Sequence, residues 1–248
     1  AHPIAGEAEI DGDIIHLVTK QADLVFDTDG KRPLVSILRG FSAPVTLRFE
    51  QPRADRLALA TFDPDPFGRW RALTDLVGDM LRTAVQAMAA GRAPHHDGDI
   101  LDILVRSAGD DALEPALRAL MIALPGEAEI ARLLGSDIDP EAIHQARNDV
   151  LEALAQVGAT QFERLRNDLA AKGTEFSADA ASAGRRALRA ALLPAVAVHK
   201  SDPGFLLHEV KAANNMTDRL SALTVLAHRF ADSDESRQAL ESFFARFQ

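Results

Sequence analysis

The feature that most constrains the fold of this chain is a change in hydrophobic spacing at the DPDP segment, residues 63–66. Beyond this segment apolar residues recur mostly at steps of three and four, beginning with residues 67–88. This spacing places apolar side chains on one face of an α-helix. Asp65 is a suitable N-cap, Pro66 suits the first helical turn and Gly91 suits the end. A long amphipathic helix is therefore predicted directly after the DPDP segment.

The rest of the chain repeats this pattern in shorter runs separated by glycine, proline and polar residues. Further helices are predicted at residues 99–108, 114–123, 127–134, 140–156, 159–172, 178–198, 203–213, 217–231 and 234–246. A succession of amphipathic helices is typical of an α-solenoid or helical array. No fixed repeat length is found, so a regular tandem repeat is not predicted.

The segment before the DPDP segment has a different pattern. Short runs of β-branched and large apolar residues are separated by turn residues, which predicts strands at residues 14–18, 24–26, 34–38, 45–49 and 57–62. Five or six such strands predict a small Ig-like β-sandwich. The expected fold is therefore a multidomain α and β protein, with a β-sandwich domain at residues 1–62 and an all-α, solenoid-like domain at residues 63–248.

Composition argues against several classes of function. The chain has no cysteine, which removes disulfides, thiolate zinc sites and a cysteine nucleophile. Its net charge of −10 and lack of tyrosine argue against a nucleic-acid partner, because phosphate contacts need clustered cations and base stacking needs aromatic rings. No apolar run reaches the about 18 residues that cross a bilayer, and no signal pattern is present. We expect a soluble, cytoplasmic protein that binds neither nucleic acid nor membrane.

Two histidine-containing segments resemble metal sites. His208 and Glu209 begin like the zinc signature HExxH, but Ala212 occupies the position of the second histidine, so only one nitrogen ligand remains. His208 is therefore interpreted as a surface or interface residue of a helix. Residues 95–99, HHDGD, offer two imidazoles and two carboxylates, but the flanking proline and the glycine indicate a solvated loop. No metal site is predicted in this chain.

No catalytic constellation is found either. The sequence contains neither a serine on a glycine-flanked turn nor a phosphate-binding glycine loop. Arg185, Arg186 and Arg189 form a cationic helix stripe, which is interpreted as a solvated face. The carboxylates of residues 137–141 lie around a helix start, where they favour the helix dipole.

The segment NNMTDR, residues 214–219, is the most unusual stretch of the helical part. Asparagine tolerates the conformation that ends one helix, and Asn215 or Thr217 can cap the next. The segment is therefore interpreted as a well-capped corner between two helices. The alternative is that this corner presents amide, thioether and guanidinium groups to a cleft.

Five segments resemble, in the same order, the bacterial aminopeptidase N family of zinc metallopeptidases. They are FSAPVTLRF (residues 41–49), DPFGRW (65–70), IDP (138–140), RRALR (185–189) and HEVKAANNMTDR (208–219). The resemblance covers most of the chain, and several motifs in order are more specific than any one of them.

The resemblance implies the non-catalytic C-terminal part of an enzyme that removes N-terminal amino acids from peptides, namely its small β-sandwich and the first part of its helical domain, which would be truncated at its C-terminus. Family members carry a catalytic domain with GxMEN and HExxH, a small β-sandwich and a C-terminal helical domain that forms a bowl over the active site. This chain contains neither motif. The resemblance therefore implies that zinc and the catalytic residues lie in an absent domain, and that this chain holds no catalytic residue, metal or cofactor.

The same resemblance implies a site and partners. The NNMTDR corner would face the active-site cavity, so Asn215, Met216 and Arg219 are candidates for lining its substrate side. The implied partners are the enzyme's own catalytic domain and its peptide substrates. The alternative is a free-standing helical module, without enzymatic activity, that binds another protein.

The end of the chain is also open to two interpretations. Phe243, Phe244 and Phe247 share one helical face, whereas terminal repeats normally present a polar face. Either the helical domain is truncated here, or this face packs back onto the preceding helix.

Overall fold

The computed structural model describes residues 3–6, 8–11, 14–28, 30–45, 47, 49–170 and 176–247, with side chains from residue 8 onwards. The chain divides into two compact units, Ala1–Ile37 and Leu38–Gln248. The described part of the second unit holds ten α-helices: α1 (Arg53–Phe62), α2 (Pro66–Ala89), α3 (Gly98–Gly109), α4 (Pro115–Ile122), α5 (Glu127–Leu134), α6 (Pro140–Leu169), α7 (Ala180–Lys200), α8 (Pro203–Ala212), α9 (Met216–Arg229) and α10 (Asp234–Phe247). The expected helical array is confirmed. None of these helices is long and apolar enough to span a membrane.

The first unit contains four short strands: β1 (Pro3–Gly6), β2 (Glu9–Asp11), β3 (Ile14–His16) and β4 (Leu24–Phe26). They pair as two separate two-stranded antiparallel sheets, β1 with β4 and β2 with β3. In the β2–β3 pair Ile10 lies opposite Ile15, and in the β1–β4 pair the register shifts between Pro3 and Ala5.

The predicted β-sandwich is wrong. The strands predicted around Ile14 and Leu24 exist, but residues 34–38 and the described residues of 45–49 are irregular. Two-stranded sheets of three or four residues have no inner face to bury, and Val18 and Val25 are 72% and 52% exposed. Because isolated two-stranded sheets are marginally stable, the described residues of this unit form no sandwich core.

The strand predicted at residues 57–62 is also wrong, because these residues lie in α1. The alternation of Leu57 and Leu59 fits a strand, but the surrounding alanine, leucine and arginine residues are strong helix formers. Pro52 precedes the first turn, and Asp55 lies where a carboxylate favours the helix dipole. Leu59 and Ala60 are buried in the helical core. The predicted domain boundary at residues 62 and 63 falls between α1 and α2, which pack against each other.

The described residues of the second unit bury two apolar clusters. The larger cluster joins α1 to α7 and includes fully buried leucines such as Leu73, Leu81 and Leu188. The smaller cluster joins the C-terminal part of α7 to α8, α9 and α10 around Leu206 and Leu226. Helix α7 contributes to both, so it connects the two halves of the array.

The helix boundaries follow the capping residues. Asp65 accepts a hydrogen bond from the Gly68 amide, as predicted, and Gly91 has a φ of 65° where α2 ends. The two helices predicted at residues 140–156 and 159–172 form one continuous helix, α6, so Gly158 does not end a helix.

The aromatic end of the chain is only partly covered. Phe243 packs on the smaller cluster, and its ring centroid lies 4.8 Å from that of Phe247. Phe244 is 71% exposed. The face therefore packs back onto the array in part, while one ring remains outside it.

Candidate functional site

The NNMTDR corner joins α8 to α9, and Asn215 is its N-cap. The Asn215 side-chain oxygen accepts a hydrogen bond from the Asp218 amide at 2.9 Å, and its Nδ2 donates to the Asp218 carboxylate at 3.0 Å. Asn215 thus satisfies one of the free backbone donors at the start of α9. The prediction that this residue can cap the second helix is confirmed.

Arg219 binds the backbone at the end of the preceding helix. Its Nε donates to the Val210 carbonyl at 3.3 Å, and its Nη2 donates to the Ala213 carbonyl. These carbonyls lie where α8 ends, and a cation there also complements the helix dipole. The guanidinium lies 5.9 Å from the centre of the Phe247 ring. The Arg219 side chain therefore holds α8, α9 and α10 together.

An ionic cluster of Arg166, Arg189, Glu209 and Asp218 lies behind the corner. The Glu209 Oε2 atom accepts from Arg166 Nη2 at 2.8 Å and from Arg189 Nη2 at 2.7 Å. Arg189 Nη1 is 3.3 Å from Asp218 Oδ2, and Arg166 Nε donates to the Arg189 carbonyl at 3.0 Å. The four side chains come from α6, α7, α8 and α9, so the cluster links four helices.

The ionic cluster is electrically balanced and largely withdrawn from water. The Arg166 side chain is 6% exposed and that of Glu209 is 18% exposed. Burial lowers the pKa of Arg166, and the Glu209 carboxylate opposes this shift. Because each buried charge has an opposite charge in contact, the cluster avoids the cost of an unpaired ion. Its chemistry is that of a structural anchor.

The structure separates the three predicted site residues by role. Asn215 and Arg219 are half-buried and bind the chain's own backbone, whereas Met216 is 44% exposed. Asn214 and Thr217 are also exposed. The outer surface of the corner therefore consists of an amide, a thioether and a hydroxyl group.

Sequence reasoning missed the charged residues that support this corner. Glu209 was interpreted only as half of a failed metal motif, and Arg189 as part of a solvated stripe. Arg185 is exposed as predicted, but the Arg189 side chain is 20% exposed and bound to two carboxylates. A usable signal existed for Glu209, since it follows the apolar Leu206 and Phe205 by three and four residues and so shares their helix face. A carboxylate on such a helix needs a cationic partner.

The two carboxylates of the HHDGD loop pair with an arginine of the same chain. Arg53 donates to Asp97 at 2.6 and 2.8 Å and to Asp99 at 2.7 Å, and Asp97 also caps α3. Partial burial alone would raise the pKa of Asp97, but the hydrogen bonds from Arg53 and from backbone amides bring it below its usual value. His96 Nε2 lies 2.7 Å from Asp149 Oδ2. In the described part of the chain, no three histidine or carboxylate side chains are grouped to hold a metal ion.

Comparisons with known proteins place this helical array in a family. A model described as an ARM-repeat domain of unknown function, DUF3458_C, matches residues 53–248. The chain is 39% identical over 237 residues to aminopeptidase N of Caulobacter vibrioides. It is 28% identical over 220 residues to aminopeptidase N of Escherichia coli and 28% over 219 residues to that of Haemophilus influenzae.

These matches cover most of this chain and a small part of each relative. They include 94%, 85% and 88% of the chain, but only 26%, 24% and 25% of the three relatives. The chain therefore spans about a quarter of the length of the curated relatives it matches.

A solved structure shares the fold. The crystal structure of Legionella pneumophila aminopeptidase A in complex with aspartic acid aligns with a TM-score of 0.73 at 23% identity, over 91% of this chain and 28% of that one. The family model and the relatives agree on one assignment: the chain belongs to the aminopeptidase N family, in the C-terminal, ARM-repeat region of that family.

Proposed function

We propose that this chain is the non-catalytic C-terminal part of a cytoplasmic zinc aminopeptidase, and that its helical array covers the active site and limits substrate access. The observation that carries the proposal is the NNMTDR corner, where a buried ionic cluster anchors a surface that includes the exposed Met216. The relatives named aminopeptidase N support the activity.

The construction of the corner suits a cavity wall. A surface that guides a flexible peptide has to keep its shape while the peptide changes. Four helices converge on the ionic cluster, and Arg219 ties the end of α8 to α9. Met216 and Leu220, which is 48% exposed, lie four residues apart on α9 and form a small apolar strip. A thioether adapts to varied side chains, as a peptide-degrading enzyme requires.

The zinc ion of the proposed enzyme would be held elsewhere. The described residues of this chain include no group of three suitable side chains, and the one HE pair has Glu209 bound to two arginines. Metal binding and hydrolysis would therefore belong to a catalytic domain outside this chain. The isolated chain is expected to show no chelator-sensitive hydrolysis of aminoacyl anilides.

The cavity wall is tested by Met216→Glu in the full-length enzyme. One apolar contact is worth about 1 kcal/mol, so kcat/KM for peptides of several residues should fall roughly five-fold. The value for a single-residue anilide should stay within about two-fold, because that substrate does not reach the wall. Leu120→Glu is the matched control, since Leu120 is 59% exposed on α4.

Two results would contradict these proposals separately. Equal kinetics of the Met216 and Leu120 variants at every peptide length would contradict the proposal that the corner forms a cavity wall. A reading frame without HExxH codons upstream of residue 1 would instead favour the free-standing interaction module.

A further inference from the structure

A cleft of about 700 Å³ lies between α5, α6, α7 and α9, and it has no part in the proposed cavity wall. It is bordered by the C-terminal half of α9, from Thr224 to Phe230, whereas the NNMTDR corner lies at the other end of that helix. Thr224, the first lining residue on α9, lies eight residues and about 12 Å of helix beyond Met216, so the cleft shares no residue with the corner. Its volume suits a small molecule.

A smaller apolar cavity of about 150 Å³, here called the annex, shares part of its lining with the cleft. The annex is lined mainly by apolar side chains, among them Leu154, Phe162 and Ala191. The cleft and the annex are both lined by Arg147, Leu151 and Pro194, so these residues lie at the boundary between them.

The charge of the cleft is opposite to that of the chain. The chain carries a formal charge of −10, yet the ionisable residues that line the cleft are two arginines, two histidines and one glutamate. The glutamate, Glu127, is 2.8 Å from His144 Nδ1 and is thereby occupied. Arg229 contacts Glu152 at 3.3 Å. An anionic group entering the cleft would meet Arg147, whereas Arg229 already contacts a carboxylate.

Arg147 is the donor best placed for such a group. Its Nε donates to the Pro125 carbonyl at 2.9 Å, which fixes the guanidinium at the boundary between the cleft and the annex. Within the described residues its Nη1 and Nη2 make no hydrogen bond, and neither is among the buried unpaired atoms. Two parallel N–H groups of a guanidinium match the two oxygens of a carboxylate.

We propose that the cleft binds a small carboxylate that carries an apolar group. The carboxylate pairs with Arg147 Nη1 and Nη2, Arg229 adds a second positive charge to the cleft, and the apolar group occupies the annex. The annex favours an organic carboxylate over an inorganic anion, since only the former fills apolar space. Such a ligand is either a free carboxylic acid or the C-terminal residue of a peptide.

The test is isothermal titration of the complete 248-residue chain with four probes. They are 4-methylpentanoate, N-acetyl-leucine, N-acetyl-leucinamide and inorganic phosphate. At least one of the two carboxylates should bind, and ten-fold or more tightly than the uncharged amide. Tighter binding of 4-methylpentanoate identifies a free acid, and tighter binding of N-acetyl-leucine identifies a peptide terminus. Absence of carboxylate binding, or equal binding of the amide or of phosphate, overturns the proposal.

Variants connect the binding to the cleft. Arg147→Gln should weaken the carboxylate at least ten-fold, while its amide can still donate to the Pro125 carbonyl. Arg164→Gln on the same helix is the control, since that side chain is 84% exposed, and it should change affinity less than two-fold. Ala191→Leu fills the annex without removing a charge and should also abolish binding. Unchanged affinity in either Arg147→Gln or Ala191→Leu overturns the proposal.

Discussion

Glu209 shows how a charged residue acquires its role from partners distant in sequence. Its carboxylate binds Arg166 and Arg189, which lie 43 and 20 residues away. Among the residues that the structure describes, none of these three side chains has an oppositely charged contact within its own helix turn that would explain its burial. The pairing exists only because α6, α7 and α8 meet at this point.

Removal of the Glu209 charge should destabilise the chain strongly. Glu209→Gln leaves Arg166 and Arg189 withdrawn from water with only Asp218 to balance them. Loss of one partner of a buried pair costs about 3–5 kcal/mol, and partial solvent access places the expected value at the lower end. The measurement is the free energy of unfolding from urea titration.

The control for this substitution is Asp168→Asn in α6. The Asp168 side chain is 68% exposed and lies 3.9 Å from Arg164, so its loss should cost less than about 0.5 kcal/mol. If both substitutions changed the unfolding free energy equally, the ionic cluster would not anchor the corner.

For a single helix or strand, burial in the fold decides between secondary structures that the local sequence fits equally well. The Leu-Ala-Leu-Ala run of α1 has both strand and helix spacings, and packing against α2 selects the helix. Gly158 has the composition of a helix stop but lies inside α6. Its role is to allow a close approach, because a Cβ there would lie 2.7 Å from the Phe162 ring and 2.8 Å from Val105 Cγ2.

Gly158→Ala should therefore lower stability although alanine is the better helix former. The gain in helix propensity is about 1 kcal/mol, whereas overpacking a closed core costs about 1–3 kcal/mol. Phe162 is 1% exposed, so its ring has no room to move away. The expected result is a fall in Tm of a few degrees in a thermal unfolding scan.

Gly98→Ala is the matched substitution at an open position. Gly98 begins α3, and nothing lies within 4 Å of a Cβ built there. Its Tm should stay the same or rise slightly, because alanine restricts the unfolded chain. A Gly158 variant as stable as the Gly98 variant would show that α3 and α6 do not approach this closely.

The two apolar clusters of the helical unit differ in size, so local stability should differ between the helices that they join. The cluster that joins α1 to α7 buries many more large side chains than the cluster of α7 to α10. Regions with fewer buried apolar contacts open locally at lower free energy. We expect the amide hydrogens of α8–α10 to exchange faster than those of α2 and α6 in native-state hydrogen exchange.

A pair of core substitutions tests this difference. Leu226→Ala, in the smaller cluster, should raise exchange in α8–α10 and leave α2 protected, at a local cost of about 2–5 kcal/mol. Leu81→Ala, in the larger cluster, should raise amide exchange in α1–α7 in addition to α8–α10. Identical exchange patterns for the two variants would show that the array unfolds as one unit.

The sequence by itself determined the local elements of the helical array. Apolar spacing and capping residues such as Asp65 and Asn215 act within one or two turns, so their effect is visible without the rest of the molecule. Order and spacing of short motifs also identified the family. The sandwich failed as a prediction because strand propensity says nothing about whether a second sheet exists to cover the first.

Only the tertiary structure decided which polar groups are free to bind a ligand and which are bound within the chain. From the sequence, Arg219 was a candidate for lining the substrate side and Glu209 was part of a broken metal motif. In the structure both side chains are bound to groups of the same chain. Met216 remained exposed, and Arg147 came to lie at the boundary between a cleft and a smaller apolar cavity. Ion pairs and cavities depend on distances between helices far apart in sequence, and no local pattern of residues encodes those distances.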